Sequence, residues 1–198
     1  RSVDPAPFLS PGVGYEVGAR TEAIRGLQSS VAVWALRQKS ELVFVGDAGV
    51  TEDTAGSRRW GVEFNNRYVP RSGLLLDADL AWTRPRFNNG ERIPNAVDTV
   101  ASIAGTVRDL GPWSASLQLR YLGSGALKED NSLRSSPSLT TNLRVGYQLP
   151  QIGRGSELTL DVYNLFDRKV NDIQYAYTSA YTNGDARHIH PAEPRSGR

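Results

Sequence analysis

From Leu139 to Leu149 the odd positions carry Leu139, Thr141, Leu143, Val145, Tyr147 and Leu149. The even positions carry Thr140, Asn142, Arg144, Gly146 and Gln148. Successive side chains of an extended backbone leave opposite faces, so this alternation predicts a strand with one apolar and one polar face. The same period recurs in YEVGART (15–21), LQSSVAVWA (27–35), RWGVEFNNRY (59–68), LLLDADLAWT (74–83), WSASLQLRY (113–121) and ELTLDVYNLF (157–166), and more weakly in TVASIAGTVR (99–108). Trp34 breaks the pattern by falling on the polar side. The segment from Leu27 to Val45 is long enough for one extended strand reaching beyond a membrane. About eight strands and no helix result, so the fold class is all-β.

The connections alternate in length. Short links at 23–26, 70–73, 109–112 and 150–155 carry Pro and Gly, the punctuation of tight turns. Longer links are expected near 47–57, 87–98, 124–138 and 167–193. In an antiparallel up-and-down meander all short links then fall on one rim and all long links on the other. Transmembrane β-barrels have this asymmetry, with an apolar face toward lipid and a polar face toward the lumen. Trp60, Tyr68, Trp82, Trp113, Tyr121, Tyr147 and Phe166 fall near strand ends on the apolar face, where interfacial aromatic girdles lie. The polar face interleaves both signs: Glu16, Arg20, Glu63, Arg67, Asp77, Asp79, Arg120, Arg144 and Asp161. That suits a hydrated lumen wall and suits a solvent-exposed face equally well.

Composition narrows the classes. The 198 residues suffice for one sizeable domain. A net charge of +2 gives no electrostatic case for nucleic acid. There is no cysteine, which excludes disulfides, zinc-thiolate sites and thiol catalysis. No apolar run reaches about 18 residues, so no transmembrane helix is expected, which does not bear on barrel strands. The sequence contains no methionine and starts without a leader-like segment, as a trimmed chain or a piece of a longer protein would. Two other readings stand beside a portion of a membrane barrel. One is a complete small outer-membrane barrel, a pore or adhesin, since eight strands can close. The other is a soluble β-sandwich binding module, which a detergent requirement would separate from both barrels.

Little in the sequence suggests chemistry. His188 and His190 share one side of an extended segment and could bind a metal or haem iron, but two ligands without a third fit a polar surface loop better. Asp47, Glu52 and Asp53 lack the spacing of a calcium loop and read as a solvated turn. Asp77 and Asp79 share a face and could mimic a glycosidase carboxylate pair, but same-strand neighbours at period two are usual on a lumen wall. Tyr175, Tyr177 and Tyr181 lie in the longest link, where aromatic rings could contact a ligand or pack the loop itself. Nucleophile-elbow, HExxH and phosphate-loop motifs are missing, so no enzymatic activity and no cofactor are expected.

An ordered set of motifs completes the reading: GYEVGART (14–21), SRRWGVEFNNRY (57–68), IPNAVDTVASIAG (93–105) and LTLDVYNLFDRKV (158–170). Together they resemble the C-terminal part of the barrel of TonB-dependent outer-membrane receptors. Asn95 and Asp98 depart from that family's strand-start pattern, and Val170 stands where Tyr is usual. The resemblance implies that residues 1–198 are a C-terminal portion of a barrel of about 22 strands, without its plug domain, earlier strands or final strand. AEPRSGR (192–198) would stop at the start of that final strand. It further implies an outer-membrane receptor of a Gram-negative bacterium that takes up a large scarce nutrient such as an iron chelate, cobalamin or a glycan. The implied partners are membrane lipid, a small-molecule nutrient ligand, and the TonB energy-coupling complex acting through an N-terminal region outside this sequence. Nucleic acid is not among them. Ligand contact is expected from the loops near 88–96, 124–136 and 171–191, with Tyr175, Tyr177, Tyr181, His188 and His190 as candidate residues.

Overall fold

The computed structural model describes residues 10–45, 50–153, 155–179, 184–191 and 196–197. The strands are β1 (Gly12–Thr21), β2 (Leu27–Val45), β3 (Val50–Arg71), β4 (Leu74–Thr83), β5 (Arg86–Phe87), β6 (Thr99–Leu110), β7 (Trp113–Leu122), β8 (Ser138–Gln148), β9 (Glu157–Tyr163), β10 (Asn171–Ser179), β11 (Gly184–Pro191) and β12 (Ser196–Gly197). Among the described residues no helix is present. One sheet runs β1-β2-β3-β4-β6-β7-β8-β9-β12, with β5 paired to the outer part of β3. Every pairing is antiparallel between chain neighbours or across an inserted loop. β10 and β11 form a separate hairpin.

The all-β meander therefore stands, with eight long strands and two residues that begin a ninth beside β9. Both smaller alternatives fail among the described residues. The sheet is open, since β1 pairs only with β2, so no eight-stranded barrel closes. No second sheet covers the apolar face, as a sandwich requires. Three local expectations also need correction. The expected link at 47–57 is mostly strand: β2 and β3 stay in register out to Val45 and Val50. The link expected near 167–193 holds two strands beyond the eight, the β10–β11 hairpin. Phe166 lies beyond the end of β9 in a turn, not on the strand's apolar face.

Register settles which residues share a face, because directly paired residues project to the same side. One side carries Val33, Val62 and Trp82, then Phe64, Leu80, Ala101, Tyr121 and Leu139 in adjoining rows. The other carries Arg20, Ser30, Asn65, Asp79, Ser102, Arg120 and Thr140 in a single row. Below it Arg144 meets Asp161, with Nε donating to Oδ1 at 2.6 Å and Nη2 to Oδ2 at 3.1 Å. Ser102 donates to Asp79 at 3.3 Å, and Ser114 to Glu157 at 3.2 Å. The polar face is a network of hydrogen bonds. The apolar face is bare: Ile103 is 62% exposed and Leu158 64%. A contiguous apolar sheet face of this extent is stable against lipid and unstable in water.

The aromatic residues measure the apolar band. Trp60 and Trp82 stack edge-on with centroids 4.9 Å apart near the long-link rim. Trp113 and Tyr147 lie 4.6 Å apart near the short-turn rim. Trp60 to Tyr68 on β3 and Trp113 to Tyr121 on β7 each span about nine residues, the length of a tilted bilayer-crossing strand. The four long links lie outside one belt and the four tight turns outside the other. At one such turn Gly73 takes φ +74, a conformation that costs other residues energy.

Two exceptions to the alternation have local causes. Trp34 occupies the polar face because it lies over Gly61. A Cβ there would come 2.6 Å from the Trp82 carbonyl oxygen and 2.9 Å from the Trp34 ring. Asn66 stands on the apolar face but is satisfied: it accepts from Ser29 Oγ at 2.7 Å and donates to the Ala78 carbonyl at 3.2 Å. A self-contained polar pair costs far less in an apolar setting than an orphan would.

Candidate functional site

The four most buried apolar side chains among the described residues are Phe87, Ile93, Ala126 and Leu127. None lies in the membrane-crossing part of the sheet. All belong to the links at 84–98 and 123–137, which fold together on the long-link rim. In a barrel the sheet gives its apolar face to lipid, so a water-excluding core can form only where loops cover one another.

Backbone pairing joins the two loops. The Arg92 N–H donates to the Glu129 carbonyl at 2.8 Å, and the Asn95 N–H to the Ala126 carbonyl at 2.8 Å. Isolated bridges link Val97 to Gly125 and Ala126 to Arg134. One guanidinium locks the assembly. Arg134 donates from Nε to Ser124 Oγ at 3.1 Å, from Nη1 to Asn131 Oδ1 at 2.6 Å, and from Nη2 to the Ser124 carbonyl and Asp98 Oδ2, both at 3.0 Å. Arg92 adds a longer ion pair to Asp98 at 3.7 Å. Asp98 thus sits between two arginines from different loops.

The β10–β11 hairpin docks on this platform through Gln174, which is 8% exposed. Its Oε1 accepts from the Ser136 N–H at 3.1 Å and its Nε2 donates to the Ser136 carbonyl at 3.2 Å. The amide imitates a neighbouring strand. Asn95, Val97, Leu122, Ser136, Asn171 and Gln174 line a cavity of about 250 Å³ at the junction.

A second anchor holds the start of the hairpin's link. Asn164, 5% exposed, has φ 50. Its N–H donates to Asn142 Oδ1 at 3.1 Å, its Nδ2 to the Arg168 carbonyl at 2.9 Å, and its Oδ1 accepts the Arg168 N–H at 3.0 Å. This is the Asn of the NLFD motif. Replacing it with Ala removes the side-chain bonds and strains the left-handed backbone. We expect Asn164→Ala to lower stability by about 2–4 kcal/mol, from the two side-chain hydrogen bonds at about 1 kcal/mol each plus the conformational cost. A urea titration of the full-length protein refolded into vesicles checks this.

Charge on the loops is pH-sensitive at Glu129. Partial burial first, and then the nearby Glu91 carboxylate, push its carboxyl above the usual value. Asp130 shifts down, chiefly because the Ser132 hydroxyl and N–H donate to it. A folded-state carboxyl raised above its unfolded value binds more protons folded. Its protonation therefore favours the docked loop at low pH, and that contribution is lost as pH rises through the folded value. Glu129→Gln should remove this dependence. Amide exchange at Arg92, which bonds to the Glu129 carbonyl, should slow slightly at neutral pH and lose its pH slope beyond the intrinsic chemistry.

The candidate residues fare differently. Register places Tyr175 opposite His188, Ile173 opposite His190, and Tyr177 opposite Ala186. In that register Tyr175 and His188 are directly paired, and the Ile173–His190 and Tyr177–Ala186 pairs stand two positions to either side. Tyr181 lies outside the described residues. Asp47 also lies outside them, while Glu52 and Asp53 are successive positions of β3 rather than a turn. Asp77 is registered opposite Arg67 on the lumen wall, and Asp79 accepts from Ser102. Among the described residues no group of three or more potential ligands gathers for a metal. Sequence reasoning missed Arg134, Gln174 and the organising role of Asp98. The one signal was that Asn95 and Asp98 depart from the family pattern: Asn95 takes φ 63 at a loop corner, and Asp98 carries the ion pairs.

The family model described as TonB dependent receptor-like, beta-barrel, matches residues 2–165. The chain belongs to the TonB-dependent receptor β-barrel family. Solved structures agree in fold. The ferric yersiniabactin uptake receptor FyuA from Yersinia pestis aligns with a TM-score of 0.75 at 20% identity, over 98% of this chain and 31% of that one. The copper transporter OprC gives 0.73 at 19%, over 94% and 30%. The ferric citrate transporter FecA, unliganded, gives 0.71 at 17%, over 93% and 30%. The chain thus spans under a third of the length of each of these TonB-dependent receptor neighbours. No curated protein matches it by sequence.

Proposed function

We propose that this chain is the C-terminal portion, residues 1–198, of the barrel of an outer-membrane receptor in a Gram-negative bacterium. The receptor takes up a scarce nutrient by TonB-coupled active transport. One observation carries the reading. The sheet is apolar toward lipid, polar toward the lumen, and capped on a single rim by loops that fold into a platform. A capture surface needs preformed loops on the outer side, and a transport path needs a hydrated wall beneath them.

The nutrient class is a metal chelate. The neighbours are named for ferric yersiniabactin, ferric citrate and copper, which favours metal cargo over cobalamin or glycans. The hairpin positions Tyr175, Tyr177, His188 and His190 are the ligand-contact residues, with Tyr181 as a fifth candidate. The plug domain, the earlier strands and the rest of the last strand belong to the longer receptor, and TonB acts through its N-terminal region. The chain performs no catalysis.

The test is uptake by cells carrying the full-length receptor. Labelled ferric chelates, cobalamin and oligosaccharides are offered with and without functional TonB. TonB-dependent accumulation of a metal chelate supports the proposal, and accumulation of cobalamin or a glycan alone overturns the metal assignment. Uptake that persists without TonB overturns the transport mechanism.

A further inference from the structure

Immediately outside the Trp60–Trp82 belt the lipid-facing side of the sheet changes character. Arg37 on β2 pairs in register with Arg58 on β3, and Arg58 pairs with Arg86 on β5. Directly paired residues share a face, and here it is the face of Trp60, two residues further along β3. Arg84, just past the end of β4, lies one step nearer the apolar band, level with Trp60, to whose carbonyl its N–H donates at 2.8 Å. Arg37, Arg58 and Arg84 are exposed. Arg86 bonds through Nη1 to the Gly90 carbonyl at 2.9 Å.

None of the four has a carboxylate within ion-pair distance among the described residues. Burial and then repulsion from Arg92, Arg84 and Arg58 make the Arg86 guanidinium easier to deprotonate, and Asp98 opposes this only in part. Like charges directly opposite one another destabilise a sheet. The arrangement is therefore unfavourable until an anion occupies it.

Position selects the anion. Arg58 lies about 7 Å along the strand from Trp60. The headgroup layer of a bilayer is about 5–8 Å deep on each side of the hydrocarbon. A row at that height, on the outward face, meets lipid headgroups. Arginine forks match phosphate oxygens two at a time. Arg37, Arg58 and Arg86 stand on adjacent strands about 5 Å apart, a spacing that accommodates one doubly phosphorylated headgroup or two neighbouring phosphates.

We propose that Arg37, Arg58, Arg84 and Arg86 form a binding row for phosphate-bearing lipid headgroups in the outer leaflet around the barrel. The proposal rests on the barrel reading, with the long links on the outer side. The row fixes the rotational and vertical seat of this part of the wall and holds the loop at 84–98 against the membrane.

The experiment titrates the purified full-length receptor with phosphatidic acid, phosphatidylcholine and inorganic phosphate, read by native mass spectrometry. Parallel samples are reconstituted into vesicles. Wild type should retain phosphatidic acid at least about tenfold more tightly than phosphatidylcholine, with an affinity that falls as salt rises. The variant R37Q/R58Q/R84Q/R86Q should lose that preference while keeping the gel mobility shift of a folded barrel. Should it fail to fold, the milder R58Q/R86Q should lose a large part of the preference, and R58K/R86K should keep more of it. Equal binding of both lipids by wild type, or undiminished preference in folded Gln variants, overturns the proposal. Displacement of phosphatidic acid by equimolar inorganic phosphate shows a free-anion site and overturns the membrane assignment. Failure of wild type to insert into vesicles overturns the barrel reading and this proposal together; insertion without lipid preference overturns this proposal alone.

Discussion

Leu117→Arg will block or strongly destabilise assembly in the membrane, and Gln118→Arg will not. Leu117 lies midway between Trp113 and Tyr121 on β7, is 41% exposed, and pairs with Gly105 and Leu143 on the apolar face. An arginine at the bilayer midplane costs about 2–4 kcal/mol in barrel proteins, a factor of roughly 30 to 1,000 in folding equilibrium. It cannot reach either interface from the middle of the span without thinning the membrane. Gln118 pairs with Ala104 and Asn142 on the lumen side. Water is available there, and Glu63, Asp77 and Asp79 add negative charge to the same wall. The check is refolding of the two full-length variants into vesicles, followed by gel mobility and urea titration. If Gln118→Arg is the damaging change, the two faces have been assigned the wrong way round.

Arg134→Ala will release the outer platform while leaving the sheet intact. Four hydrogen bonds converge on that guanidinium, one of them the ion pair with Asp98. It is partly buried, with the Arg134 side chain 33% exposed and Asp98 25%, so solvent screens it less than an ordinary surface pair. Charge-assisted bonds net more than neutral ones, and their loss here should cost about 2–4 kcal/mol, local to the loops. Amide exchange at Gly125, whose N–H donates to Ser135 Oγ, and at Ser135, bonded to the Gly125 carbonyl, should accelerate by roughly two orders of magnitude. Exchange in the middle of β7 and β8 should not change. Arg134→Lys should rescue little, because one ammonium cannot reproduce the fork. Asp98→Asn should fall between, since the Arg134 bonds to Ser124 and Asn131 remain. On the proposed function, ligand affinity of the full-length receptor should drop with the loops. An unchanged affinity would move ligand capture away from this platform.

These two outcomes probe different layers of information in the chain. The strand faces were legible in the residues alone, because period-two alternation restates the same fact at every second position. A single exception such as Trp34 or Asn66 does not erase it. The tight turns were equally legible from Pro and Gly placed between alternating runs. The family was legible from the order of its motifs, and the NLFD Asn proves to be a buried hydrogen-bonding anchor.

The platform was not legible. Arg134 and Asp98 are 36 residues apart, and Gln174 and Ser136 are 38 apart. No repeat connects such partners, and each is an ordinary polar residue in a polar stretch. Only the antiparallel pairing of β4, β6, β7 and β8 brings their loops to one rim. The same holds for the arginine row: Arg37, Arg58 and Arg86 are scattered in the chain and become neighbours only through the register of β2, β3 and β5. A face is a local property, repeated along every strand, so the residues could announce it. A site is a coincidence of distant residues, and hydrogen-bonded pairing across the sheet had to create it.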